Sequence, residues 1–142
     1  MKIRKTKKED LLKLSEIFRI ETSKKPYRYN FTKKETLDKI KDSLKKKDVY
    51  TLEINNNPEG FFICELRPKK KQIYLDELWI SKENQGRGYG KQIMKFIEMK
   101  YKSRGYKEIT LVADKNANAS KFYKKLGYKI KHEWFHMGKK LR

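Results

Sequence analysis

Gln85-Gly86-Arg87-Gly88-Tyr89-Gly90, followed by Lys91, joins a strand-like run (Ile73 to Ile80) to a helix-like run (Tyr89 to Tyr101). Three glycines in six residues let several backbone N–H groups turn toward one anion. The first turn of the following helix adds N–H groups without intrahelical partners and the positive end of its dipole. The stretch reads as an anion cradle, and phosphate is its natural guest. Two common phosphate motifs do not fit. The dinucleotide fingerprint G-x-G-x-x-G needs a glycine where Lys91 stands, and the ATP motif G-x-x-x-x-G-K-[ST] needs a glycine at Gln85 and a hydroxyl at Gln92. What is present is Q/R-x-x-G-x-G/A at a strand-to-helix junction.

Downstream stands Asn116-Ala117-Asn118-Ala119-Ser120-Lys121-Phe122-Tyr123-Lys124-Lys125-Leu126-Gly127-Tyr128. The two motifs together, in this order and separated by one helix and one strand, resemble the GNAT superfamily of acetyl-CoA-dependent N-acetyltransferases. The resemblance is specific over residues 74–128 and weaker upstream, where Ile3-Arg4 and Glu9-Asp10 before a helical run are similar to the start of many members. It implies an α+β fold with a central mixed, mostly antiparallel sheet of about six to seven strands flanked by about four helices. It also implies that Gln85, Gly86, Arg87, Gly88, Tyr89, Gly90 and Lys91 hold the pyrophosphate of acetyl-CoA. Main-chain groups of the Leu78-Trp79-Ile80 stretch would hold the pantetheine arm like an added strand, with Asn116 contacting it further along.

Composition bounds the remainder. A chain of 142 residues buries a single core, so one domain over residues 1–142 is expected. With 37% hydrophobic and 13% aromatic residues, that core can be built although 39% of the chain is charged. One cysteine, Cys64, excludes an internal disulfide framework and suits a reducing compartment. No apolar run spans a bilayer and the N-terminus lacks the apolar stretch of a signal peptide, so a cytoplasmic protein without membrane contact is expected.

Periodicity outlines the elements. Lys2 to Lys5 reads as a strand, and Asp10 as the cap of a helix carrying Leu11, Leu14 and Phe18. Ser23 to Asn30 reads as a loop; Thr32 and Glu35 form a capping box before Leu37, Ile40 and Leu44. Val49 to Ile54 and Gly60 to Leu66 make one hairpin, and a second, turning at Pro68 to Lys71, leads to Ile73 to Ile80. After the helix bearing Ile93, Phe96, Ile97 and Met99, closed by Gly105, come a strand over Ile109 to Ala113 and a helix over Ser120 to Leu126 ended by Gly127. Tyr128 to Lys131 and Trp134 to Lys139 read as final strands.

The chemistry that the resemblance implies needs two proton-handling groups. A primary amine is mostly protonated at neutral pH, so a base must take a proton before the nitrogen attacks a thioester. Asp76 and Glu77 precede the glycine loop, and strand alternation sends them to opposite faces unless a bulge intervenes. Asp76, nine residues before Gln85, matches a glutamate implicated as base in some polyamine acetyltransferases of the family, and is preferred to Glu77. Tyr123 matches the tyrosine that the family places near the thioester sulfur as general acid. Asn116 lies seven residues before it, and Asn118 competes for the Asn116 role.

Two other motifs carry less. His132-Glu133-Trp134-Phe135-His136 satisfies H-E-x-x-H, but in an extended segment residues four apart lie roughly 13 Å apart, too far to share a metal, so no metal is expected. Cys64, inside Phe61-Phe62-Ile63-Cys64, reads as a buried inert thiol rather than a nucleophile. The net charge of +20 is not explained by the resemblance. It leaves a second functional class, a catalytically silent basic module on the same scaffold that associates with nucleic acid or ribosomes. The partners expected on the first reading are acetyl-CoA and an amine acceptor, small molecule or protein; acceptor identity and oligomeric state, a homodimer included, are open.

Overall fold

Asn55 and Asn56 adopt the left-handed backbone (φ 51° and 64°), which asparagine tolerates better than most residues, and they fold the chain into its central hairpin. This hairpin consists of β2 (Asp48–Ile54) and β3 (Asn57–Arg67). The computed structural model describes residues 1–141. β1 (Lys2–Lys5) lies antiparallel to β2, and β4 (Gln72–Ile80) antiparallel to β3. β5 (Glu108–Leu111) runs parallel to β4, so the sheet order is β1-β2-β3-β4-β5. The helices are α1 (Leu11–Ser23), α2 (Lys33–Lys46), α3 (Tyr89–Ser103) and α4 (Asn118–Lys125). This is the expected α+β architecture of mixed, mostly antiparallel sheet and four helices.

Alternation along β3 feeds both faces. Phe61 and Ile63 join Leu14, Phe18 and Ile40 beneath α1 and α2, whereas Phe62 and Cys64 join Ile73, Ile93, Ile97 and Tyr101 beneath α3. Each of these fully buried side chains contributes roughly 1.5–3 kcal/mol, which is why the sheet can be highly charged along its margins and still hold. The capping box at α2 forms as expected, with Glu35 N–H donating to Thr32 Oγ1 at 3.1 Å and Thr32 N–H to Glu35 Oε1 at 2.9 Å. Asp10 does not cap α1 with its side chain. Its carboxylate turns back to Arg4, at 2.7 and 2.9 Å, and to the Lys7 N–H at 2.8 Å, because a partly buried guanidinium offers two charged donors where a cap offers one neutral one.

Two expectations fail. The strands foreseen over Tyr128 to Lys131 and Trp134 to Lys139 do not form, so the described sheet has five strands rather than six or seven. Alternating residues express strand propensity, but a strand is held by its ladder partner, and this segment pairs with none; Trp134 is 81% and Met137 85% exposed. The foreseen separation of Asp76 and Glu77 fails as well. A bulge opposite Ile63 and Cys64 pairs Ile63 with Glu77 and Cys64 with Leu75, leaving Asp76 as the extra residue. Leu75 and Leu78 therefore share the α3 face, and both carboxylates point toward α1 and α2.

Candidate active site

β4 and β5 are paired only from Gln72 to Leu75 and Glu108 to Leu111, so beyond Leu75 the two strands part. β4 continues to Ile80 with β3 on one side, which leaves the main chain of residues 76–80 with an open edge on the other. That edge leads into the glycine loop. Its approach is clamped from β3: Glu59 accepts from Ser81 Oγ at 3.1 Å and from Asn84 Nδ2 at 2.6 Å, while Ser81 N–H donates to the Glu59 carbonyl at 2.8 Å. Gln85 is tied down too, its Nε2 donating to Glu21 Oε1 at 2.6 Å and to the Ile80 carbonyl at 2.8 Å. Its side-chain amide thus anchors the loop to α1.

Gly86 and Gly88 have φ of 74° and 84°, and a Cβ built on either would meet nothing within 4 Å. The turn requires left-handed backbone there, and the space above it is open. Gly88 is the N-cap of α3 and no side chain caps that helix, so the N–H groups of Tyr89, Gly90 and Lys91 face the same opening. Arg87 and Lys91 are exposed beside it. A pyrophosphate fits this cradle by charge and by donor direction. Gly90 serves packing instead, since a Cβ there would lie 3.2 Å from Phe122 Cζ and its absence lets α4 pack onto the start of α3. The two sequence motifs are in physical contact at this point.

Tyr123, beside Phe122 on α4, packs at 5.0 Å from that ring and 5.7 Å from Tyr128. Burial pushes its hydroxyl well above the usual phenol range, with smaller contributions from Tyr27 and Cys64, so it keeps its proton at neutral pH. Asn116 is exposed, and its N–H donates to Asp114 Oδ1 at 2.7 Å. Asn118 is the first residue of α4, and no side chain caps that helix, so neither asparagine is spent on a cap.

The two carboxylates have opposite surroundings. Burial alone would raise Asp76, but hydrogen bonds from Lys47 Nζ at 2.9 Å and Lys39 Nζ at 3.0 Å outweigh it and hold the carboxyl below its usual range. For Glu77 burial wins: the carboxyl is raised, the neighbouring Asp76 raises it further, and a hydrogen bond from Trp79 Nε1 at 2.7 Å offsets only part. Trp79 stands in an aromatic group that joins β4 to the loop after α1, a grouping that element patterns alone do not foresee. Tyr27 meets it edge-on at 5.3 Å, Phe18 lies at 6.1 Å, and Tyr29 and Phe31 continue the row at 5.1 Å from each other. The alternating aromatics of Tyr27-Arg28-Tyr29-Asn30-Phe31 were the available signal. Burial raises the Tyr27 hydroxyl, with smaller contributions from the charge of Asp114 and, more weakly, that of Glu77.

Cys64 is buried and its thiol is pushed up to about 12, so it is no nucleophile. His132 to His136 is not helical, and its two histidines are not brought to one helix face. The depression of about 380 Å³ between α1 and α2, lined by Leu12, Ser15 and Leu37, includes none of the residues above. None of the described helices is long and apolar enough to cross a membrane.

Similar proteins give this geometry a context. No curated protein matches the chain. Among solved structures, a possible acetyltransferase from Clostridium difficile 630 superposes with a TM-score of 0.77 at 14% identity, covering 99% of this chain and 98% of its own. An N-acetyltransferase from Staphylococcus aureus Mu50 gives 0.73 at 22% identity, covering 92% and 84%. An aminoglycoside acetyltransferase from an uncultured soil metagenomic sample, solved in complex with sisomicin, gives 0.71 at 18% identity, covering 99% and 96%. At these identities the likeness is one of fold. Residues 14–128, which include the open edge of β4, the glycine cradle and α4, match the acetyltransferase (GNAT) family, and the chain belongs to that family.

Proposed function

We propose that this protein transfers the acetyl group of acetyl-CoA to a primary amine by direct attack of the amine on the thioester. The observation that carries the reading is the open edge of β4, with an uncapped glycine cradle at its end and a raised carboxyl, Glu77, along its length. Acetyl-CoA supplies the activated acyl carbon. Gly86, Gly88 and the first turn of α3 would hold its pyrophosphate, Arg87 and Lys91 would add positive charge, and the main chain of Leu78 to Ile80 would hold its arm. Asn116, with no capping duty, is available to the same arm.

Glu77 takes a proton from the ammonium of the acceptor, directly or through a water. Its raised pKa brings it closer to working pH than an ordinary glutamate, and the Trp79 hydrogen bond keeps it oriented. The nitrogen then forms its bond to the acyl carbon and the carbon–sulfur bond breaks; Tyr123, still protonated, gives its proton to the leaving sulfur, and the second proton that the acylated nitrogen sheds passes through solvent to restore the Tyr123 hydroxyl. Asp76, between two ammonium groups, holds α2 against β4 and serves the site by position. The amine approaches past Tyr27 and Tyr29, whose rings suit a cation.

Calorimetric titration with acetyl-CoA tests the coenzyme half. Saturable binding that is abolished in Gly88→Glu, in a variant that still unfolds cooperatively with its melting temperature lowered by only about 4–8 °C for the left-handed backbone a glutamate must adopt there, is expected; no binding to the unmodified protein overturns the reading and leaves a silent scaffold. For the chemical half, Tyr123→Phe should lower kcat with little change in KM for acetyl-CoA. Turnover equal to that of the unmodified protein would remove Tyr123 from its role.

A further inference from the structure

Lysines that are scattered along the chain are gathered by its topology. β1 and β3 end, and β2, β4 and β5 begin, at one margin of the sheet. α2 runs into β2 and α3 into β5, so both helix C-termini arrive there too. Direct bonds tie these pieces together: Lys107 N–H donates to the Lys71 carbonyl at 2.8 Å, and Tyr101 hydroxyl to Asp48 Oδ2 at 2.7 Å. Lys45 and Lys46, the Lys69-Lys70-Lys71 turn, Arg104 and Lys107 are all exposed, and none takes part in an ion pair among the described residues.

The carboxylates of this margin are largely spoken for. Glu65 is held by Arg67 at 2.7 Å and Lys47 at 3.5 Å, Asp48 by Tyr101, and Glu108 by Lys131 at 3.0 Å; Asp42, one turn back along α2, is exposed. Two helix C-termini contribute about half a negative charge each, far less than the seven cations named. The surplus is therefore available to an external anion.

We propose that this margin, at the opposite end of β4 from the glycine cradle and about 26 Å from it, is a docking surface for the phosphate backbone of nucleic acid. The cations span the sheet from β2 to β5, about 14 Å, a width along which a duplex presents about eight phosphate charges. The turn itself exposes ammonium groups and Pro68 and no large apolar side chain. Ammonium groups without an apolar wedge suit phosphates in water rather than entry into a bilayer. The contact carries no base readout and is independent of sequence.

The test is fluorescence anisotropy of a labelled duplex of about 20 base pairs, DNA and RNA in parallel, titrated with the full chain over a range of salt. A dissociation constant on the order of 10⁻⁵ M near physiological salt is expected. The triple variant Lys46→Glu, Lys70→Glu, Arg104→Glu should weaken binding at least tenfold and flatten the log–log salt slope by about 3, roughly 0.9 per lost contact. A charge-matched triple at the opposite end of the sheet, Lys25→Glu, Lys33→Glu, Lys82→Glu, should stay within threefold of the unmodified protein. Equal losses in both triples would assign binding to net charge and overturn the surface. Absence of binding at 50 mM salt would also overturn it, as would binding to phosphatidylserine vesicles without binding to either duplex. Unchanged acetyl-CoA titration in the first triple shows that the variant is folded.

Discussion

Glu77 and Asp76 are adjacent in sequence, face the same side and hold protons differently, because burial raises the Glu77 carboxyl by more than one indole N–H lowers it, whereas two ammonium groups hold Asp76 down against the same burial. Replacing Glu77 by Gln should lower kcat/KM roughly 100-fold or more and remove the acidic limb of the pH profile, a limb that in the unmodified enzyme lies above the usual glutamate range. The same substitution should leave stability at pH 8 equal or higher. Folding disfavours the Glu77 carboxylate, so its unfavourable contribution grows as pH rises through its raised pKa, and glutamine cannot ionise. Asp76→Asn should behave in the opposite way. The folded carboxyl is lowered, so its contribution is complete above the unfolded pKa near 3.9 and fades as pH falls through the lower folded value. Because Lys39 is partly exposed, the loss at pH 7 should be about 1 kcal/mol, read as a shift in urea midpoint, and should shrink as the pH falls below the ordinary aspartate range. An Asp76→Asn variant without activity but with full stability would return the base to that residue.

Secondary-structure elements meet at two points that neither motif reveals alone. Gly90 lies at the first turn of α3 and Phe122 on α4, and the 3.2 Å between a Cβ at Gly90 and Phe122 Cζ leaves no room for a branched side chain. Gly90→Val should therefore cost about 1–3 kcal/mol in urea unfolding through overpacking, while Phe122→Leu combined with Gly90→Val should recover part of it. Strict additivity of the two changes would mean that the helices do not touch there. The cap of α2 is more local: Thr32→Ala should cost about 1 kcal/mol without altering acetyl-CoA binding.

A chain carrying +20 repels itself, and several of its ion pairs lie at the surface, where they offset little of that repulsion. Screening should therefore raise the melting temperature between 10 and 200 mM sodium chloride, by about 4 °C for each kcal/mol of relieved repulsion. A melting temperature that falls with salt would mean that the ion pairs outweigh the repulsion. The same field attracts the coenzyme toward the molecule, but the last step of docking belongs to the cradle, whose donors are backbone groups that screening weakens less.

The α+β architecture, the glycine turn before α3 and the cap of α2 were legible from local patterns, because glycine spacing, capping chemistry and apolar periodicity act over a few residues; the cap expected of Asp10 was not, since Arg4 claims its carboxylate. Gly86 and Gly88 at positive φ, the Thr32–Glu35 box and the alternation of Phe61 to Cys64 are of the first kind. The common face of Asp76 and Glu77 was not legible, since a bulge is set by how β3 and β4 register and not by either strand. Nor were the missing final strands, because strand formation from Tyr128 onward depends on a ladder partner that propensity does not supply. The open edge of β4 and the basic margin belong to the same class. One arises because β5 stops at Leu111 while β4 continues to Ile80, and the other because five strands and two helices bring distant lysines to one end; contacts between residues far apart in the chain exist only once the sheet has formed.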